Sequence, residues 1–323
     1  MRRPSRLAAE SLLVLATIIW GGTFVATRAG LDYVSPTLII AIRFLASFLI
    51  LGPALALAGR AWWRHAKVGA VLGVVLAGGY ILQTVGLQYT TAARSAFLTY
   101  LFAILIPPLQ LLVSRKPLSA GNLAGLFVVF AGTALLTHPW TTGGWNAGDL
   151  ITIASAVCFG LFIVLIDRFA QDVPAIDLVP VQFLVAGSIA LAGAIFIEPM
   201  VFVWHPAMLV TVGYLTLLGT VGGLGLQTVF QVHSTPVRAT TIYALEPVFA
   251  AFFGVVLLAE RVGPIELAGG AVILAGVLLS ELWEHVIRRR SAGVNRSAGV
   301  PGPQRQAAPA DAGVNERLAP DER

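Results

Sequence analysis

The sequence predicts an all-α polytopic membrane protein whose ten transmembrane helices form two inverted five-helix repeats. Three observations predict this. The composition is too apolar for a water-facing surface, ten apolar runs are each long enough to span a bilayer, and the two halves of the chain resemble each other.

Of the 323 residues, 57% are hydrophobic and 11% charged, with a mean hydropathy of +0.83. A soluble domain covers itself with about a quarter charged residues, so most of this surface must face lipid. The net charge of +5 is carried largely by Arg in short connectors and in the tail. That pattern belongs to cytoplasmic loops, not to a nucleic-acid groove. The single cysteine, Cys158, falls within an apolar run and forms no intramolecular disulfide.

Apolar runs lie at 11-30, 36-58, 68-88, 92-113, 121-137, 148-166, 177-197, 207-230, 238-258 and 264-283. Each fits about 17 to 25 residues, the length that crosses roughly 30 Å of hydrocarbon. The first run follows Arg2, Arg3 and Arg6. It reaches about residue 30 without a small-residue cleavage site, and is read as a retained span rather than a signal peptide.

With the N-terminus inside, the inner connectors hold Arg60, Arg64, Lys67, Arg115, Lys116, Arg168, Arg238 and Arg288 to Arg290, and the outer ones only Arg28, Arg94 and Arg261. The asymmetry places both termini in the cytoplasm of a multi-pass plasma (cell inner) membrane protein. Trp62, Trp63, Trp140, Trp145 and Trp204 fall near helix ends, at headgroup depth. Residues 286-323 read as a disordered cytoplasmic tail. The expected divisions are therefore an N-terminus at 1-10, repeats at 11-137 and 148-285, an external connector at 138-147, and the tail.

The self-match is the most informative feature. Gly78-Gly79-Tyr80-Ile81-Leu82-Gln83-Thr84-Val85 returns as Gly222-Gly223-Leu224-Gly225-Leu226-Gln227-Thr228-Val229, a shift of 144. Arg94 then falls on Arg238, Leu123-Ala124-Gly125 on Leu267-Ala268-Gly269, and Ala131-Gly132 on Ala275-Gly276. Gly22-x-Phe24 matches Gly160-x-Phe162 at a shift of 138, and Phe44-Leu45 matches Phe183-Leu184. An odd number of spans per half turns the second half upside down. This is an arrangement of secondary transporters, with substrate bound near the midplane.

The carrying fragments are Trp20-Gly21-Gly22-Thr23-Phe24, Arg43-Phe44, Ala93-Arg94-Ser95-Ala96-Phe97-Leu98, Leu245-Glu246-Pro247-Val248-Phe249-Ala250, Glu260-Arg261 and Gly269-x6-Gly276. In this order and spacing, residues 11-285 resemble the EamA-type branch of the drug/metabolite transporter superfamily. The resemblance implies a ten-helix carrier with a central cavity, moving a small metabolite or drug, commonly outward. Glu246-Pro247 departs from its own repeat, where Phe102-Ala103 stands.

Nine residues are expected at a substrate site. Glu246 lies about 12 Å into its helix at 1.5 Å per residue, where a carboxylate faces a cavity, a proton path or a paired cation. A proton- or cation-binding role and a fixed ion pair with Arg43 or Arg238 are both open. Arg43 and its repeat partner Gln182 place polar groups at matched depth, either in a cavity wall or anchored to backbone. Gln83 and Gln227 either contact substrate or bond across helices. Trp20, Tyr80, Tyr100 and Tyr243 either offer aromatic faces to a cation or pack.

Pro107-Pro108 and Pro247 interrupt helical hydrogen bonding, while the Gly-Gly pairs permit bending or close contact. Gly121-x3-Gly125 and Ala271-x3-Ala275 suit tight packing between halves or in a homodimer. No cofactor or metal is expected. His65, His138, His205, His233 and His285 lie at connectors or span ends, and no metal-ligand spacing or phosphate loop occurs. A membrane-embedded enzyme or a non-transporting scaffold is the alternative class. The partners expected are a small-molecule substrate and the lipid bilayer, not nucleic acid.

Overall fold

Apolar runs in a medium without water must satisfy their backbone internally, and this chain does so by helix throughout. The computed structural model describes residues 5–90, 92–115, 120–137, 145–170, 172–258 and 263–297. Lys116, His138, Trp140, Glu260, Arg261 and residues 298–323 lie outside the described residues, as do the side chains of Arg94, His285 and Arg288 to Arg290.

Helices occupy each of the ten apolar segments. They are α1 (Arg6–Gly21) with α2 (Thr23–Gly30), α3 (Pro36–Leu57), α4 (Ala66–Leu87), α5 (Ala92–Tyr100) with α6 (Phe102–Ser114), and α7 (Ala120–Thr137). The second half holds α8 (Ala147–Phe169), α9 (Ala175–Phe196), α10 (Pro206–Gly213) with α11 (Gly225–Phe230), α12 (Pro236–Tyr243) with α13 (Leu245–Leu258), and α14 (Pro264–Ser297). Among the described residues seven helical segments are long and apolar enough to cross a membrane, and Leu123–Leu136 and Pro264–Leu279 are shorter apolar helices. The compact unit ends at Trp283. Residues 286–297, expected as unstructured tail, are helical, continuing α14 through Arg and Ala, which favour helix.

Four segments are not plain helices. α1 yields to α2 at Gly22, α5 to α6 at Leu101, and α12 to α13 at Ala244. The last break precedes Pro247, whose missing N–H leaves the first turn of α13 without its usual continuity from α12. Between α10 and α11 the chain follows a π-helix over Tyr214–Leu224. Such stretches are rare and often mark functional sites. Its loosened carbonyls take side chains from the first half: the Trp20 indole donates to Gly219 (3.1 Å) and the Ser47 hydroxyl to Thr216 (3.2 Å).

The two halves interlock. α3 packs on α9, α4 on α8 and α9, and α1 on α13. Phe44 and Phe183, equivalent in the self-match, meet edge-to-face at 5.7 Å. Between α7 and α14 the close contact runs through Gly132, Gly269 and Gly276, whereas Ala271 and Ala275 are exposed.

Polar ties close the bundle at both ends. At the end bearing Arg6, buried Arg238 forms an ion pair with Glu10, its Nη2 2.8 Å from Oε2, and Glu10 also accepts from Arg6 and Ser234. Arg60 grips Asp177 at 2.5 and 2.8 Å, and those bonds push its guanidinium above its ordinary pKa. At the opposite end Val34 and Phe202 form an isolated antiparallel bridge. Beside it Glu198 accepts from the Thr37 amide (2.9 Å) and hydroxyl (2.6 Å) at the start of α3, where the helix dipole favours an anion. Trp63, Trp145 and Trp204 are exposed near helix ends, the place an interfacial indole occupies.

Candidate functional site

The broken helices and the π-helix converge on one cleft of about 550 Å³, its open mouth included. Six of the nine expected residues line it: Trp20, Tyr80, Gln83, Gln227, Tyr243 and Glu246. Each reaches it from a segment already singled out. Trp20 comes from the end of α1, Tyr80 and Gln83 from α4, Gln227 from α11, Tyr243 from the end of α12, and Glu246 from the first turn of α13.

The lining follows the self-match. Gln83 faces the cleft with Gln227, Tyr80 with Leu224, Thr99 with Tyr243 and Phe102 with Glu246, all at a shift of 144. Phe24 does so with Phe162, at 138. The matched Gly79 and Gly223 make room for it. A Cβ on Gly79 would sit 2.8 Å from the Phe159 ring, and one on Gly223 2.3 Å from the Trp20 indole nitrogen. Both aromatics line the cleft, so these glycines serve close approach.

Polar atoms in the wall are mostly spoken for. The Gln83 amide donates to Thr99 (3.1 Å) and the Gln227 amide to Gln231 (3.1 Å), whose oxygen also accepts from Tyr243 (3.1 Å). Gln231 in turn donates to the Ile163 carbonyl at 2.7 Å. Trp20 and Tyr243 meet edge-to-face at 5.6 Å, Tyr80 and Phe159 at 5.1 Å.

Glu246 differs. It is partly exposed to the cleft, and no hydrogen bond or ion pair forms to it among the described residues. Arg238, one partner open to it from sequence, is taken by Glu10. Arg43, the other, gives its Nε to Thr220 at 2.8 Å and lies over the Tyr80 ring, 4.8 Å from the centroid. No Arg, Lys or His lines the cleft among the described residues.

Three expected residues stand outside the lining. Arg43 is 2% exposed behind Tyr80, and its Nη2 has no hydrogen-bond partner among the described residues. Gln182 is fully buried and donates to Thr228 at 2.9 Å. Tyr100 points its hydroxyl to the Thr240 carbonyl at 3.2 Å. All three sit at the right depth but face neighbouring helices, which single-residue patterns do not reveal.

Sequence reasoning did not single out Thr23, Phe24, Thr99, Phe102, Phe159, Phe162, Ile163 or Leu224 as lining. Carrying each expected residue through the self-match would have found Thr99 from Tyr243 and Leu224 from Tyr80. Phe159 and Ile163 have no such signal, being ordinary apolar residues of α8. Among the described residues no group of His, Cys, Asp and Glu could hold a metal ion.

Known proteins are similar to this chain in sequence and in fold. The chain is 29% identical over 277 residues to an uncharacterized transporter of Archaeoglobus fulgidus, covering 86% of this chain and 87% of that one. It is 24% identical over 299 residues to a probable amino-acid metabolite efflux pump of Salmonella typhimurium (88% and 97%). With the inner membrane transporter YedA of Escherichia coli it shares 26% over 278 residues (81% and 87%). A solved crystal structure superposes with a TM-score of 0.75 at 21% identity, covering 88% of this chain and 99% of that one, which speaks for the fold. The EamA-like transporter family matches residues 7–138 and again 146–282, one match on each side of the connector between α7 and α8, and the chain therefore belongs to that family of membrane transporters.

Proposed function

We propose that this protein is a secondary carrier that exports a small metabolite or drug across the inner membrane, by alternating access around the cleft at Glu246. Ten spans cross the bilayer as two inverted repeats, 11-137 and 148-285, with both termini in the cytoplasm. The reading is supported by the pairwise lining of the cleft and by the three helix breaks and π-helix around it, since carriers built on inverted repeats bind substrate at interrupted helices near the midplane. The resemblance to a probable amino-acid metabolite efflux pump favours export.

The observation that carries the reading is the Glu246 carboxylate, which lines the cleft without a hydrogen-bond or ion-pair partner among the described residues. An ionisable group within the membrane costs at least a few kcal/mol, and such groups are kept where they serve a function. Glu246 alternates between a proton and its cargo, so that the inward proton gradient drives the cargo out. Among the described residues the titratable groups around it are the phenols of Tyr80 and Tyr243, with Arg43 behind Tyr80. None of them is an acid or base that exchanges protons near neutrality, which leaves the exchange to Glu246.

The test is driven uptake into everted vesicles or proteoliposomes under an imposed pH gradient, for wild type and Glu246→Gln. Saturable, gradient-driven movement that Glu246→Gln abolishes, with protein still in the membrane, is the expected result. Driven movement unchanged by the substitution sinks the coupling role.

A further inference from the structure

The cleft's charge inventory is one-sided, and it says more than that something small is carried. Among the described residues Glu246 is the only carboxylate in the lining, and no Arg, Lys or His faces it there. Arg43 is nearest in kind, but it lies behind the wall, engaged by Thr220 and stacked over Tyr80. An anionic cargo would meet a carboxylate with no cation among the described lining residues. A zwitterion would satisfy its ammonium and strand its carboxylate.

The helix break adds to the bias. Glu246 sits in the first turn of α13, so the positive end of that helix is already complemented by a protein carboxylate. A free helix N-terminus would have welcomed an anion; this one does not.

The rest of the wall is aromatic. Trp20, Tyr80, Tyr243, Phe102 and Phe159 surround the space before Glu246. Indole and phenol faces attract cations, more strongly where water is excluded, and they pack equally well on an aromatic ring. Amides and hydroxyls of the wall are largely bonded to one another, so the cargo needs few polar groups of its own.

We propose that the cleft takes a monovalent organic ammonium with an aromatic body, its charge against Glu246 and its ring among Trp20, Tyr80 and Tyr243. This names the substrate class of the carrier proposed above and rests on that reading.

Three probes share a benzyl body and differ in charge: phenethylamine, phenylalanine and phenylacetate. Their binding to the purified full-length protein is measured by isothermal titration near neutral pH, together with binding to Glu246→Gln and Glu246→Asp. Unfolding temperature and elution volume confirm that each variant is folded. Phenethylamine should bind at least tenfold more tightly than the other two, lose at least tenfold in Glu246→Gln and recover part of it in Glu246→Asp. Equal or tighter binding of phenylalanine or phenylacetate, binding of none by folded protein, or indifference to Glu246→Gln overturns the assignment.

Liposome flux separates the two readings. Saturable movement of an uncharged, zwitterionic or anionic solute, without binding of phenethylamine, leaves the carrier standing and removes the ammonium class. Glu246-dependent binding of phenethylamine with no flux of any solute does the reverse.

Discussion

Glu10 and Arg238 form a buried ion pair, α1 to α12, that joins residues far apart in sequence at one end of the bundle; Glu10 is 7% exposed and Arg238 4%. Removing one partner strands a buried charge, which costs about 3–5 kcal/mol, whereas replacing both by apolar residues is often nearly neutral. Glu10→Gln should therefore lower the unfolding temperature in detergent by several times the effect of Glu10→Leu with Arg238→Met. A double variant as unstable as the single one would show that the pair contributes net attraction.

The Trp20 indole bond to Gly219 holds α1 against a π-helical carbonyl. Trp20→Phe keeps most of the ring but loses the donor, and one such bond is worth about 1 kcal/mol. Tyr214→Phe removes a comparable bond, 2.5 Å to the Ile19 carbonyl. Each should destabilise modestly in thermal unfolding. Trp20→Phe should also weaken cargo binding, because that ring lines the cleft, while Tyr214→Phe should leave binding near wild type.

A side chain at Gly269 has nowhere to go. Its Cβ would stand 2.4 Å from the Leu136 amide nitrogen and 2.8 Å from the Gly132 carbonyl, both of them backbone atoms. Overpacking of this kind costs about 1–3 kcal/mol. Gly269→Ala should lower thermal stability by roughly that much, whereas Gly270→Ala, with open space around it, should be near neutral.

The single cysteine makes the proposed orientation testable. In a Cys158→Ser background, a cysteine replacing Trp145 should react with an impermeant maleimide on intact cells. One replacing Trp63 should react only after permeabilisation. Both positions are exposed, so reactivity reports sidedness. Labelling of the two in the opposite order would invert the topology.

The segments were legible because lipid makes long apolar runs obligatory helices, and every run from 11-30 to 264-283 is helical. What sequence could not supply is where a helix stops being regular. Pro247 advertises the break at Ala244. Nothing in Tyr214–Leu224 announces a π-helix, which depends on Trp20 and Ser47 arriving from elsewhere to meet its carbonyls.

The site was legible by depth and not by direction. Glu246, Gln83 and Gln227 stand out as polar residues in apolar runs, and all three reach the cleft. Arg43 and Gln182 stand out for the same reason but turn toward Thr220 and Thr228. Their partners are distant in sequence, and only packing chooses between those partners and the cleft.

The mismatch of Phe102 with Glu246 divides labour between the halves. A duplicated chain begins with the same side chains on both sides of its cavity, and any change in one copy is then felt once, not twice. Here Gly79 with Gly223 and Gln83 with Gln227 remain in duplicate, while the Glu246 carboxylate exists in a single copy. On the proposed assignment, the charge preference for cargo is thus held at one address. On that assignment, descendants of such a chain can be re-addressed to solutes of another charge by a substitution in α13, while the fit of the cargo's body stays with Trp20, Tyr80 and Tyr243.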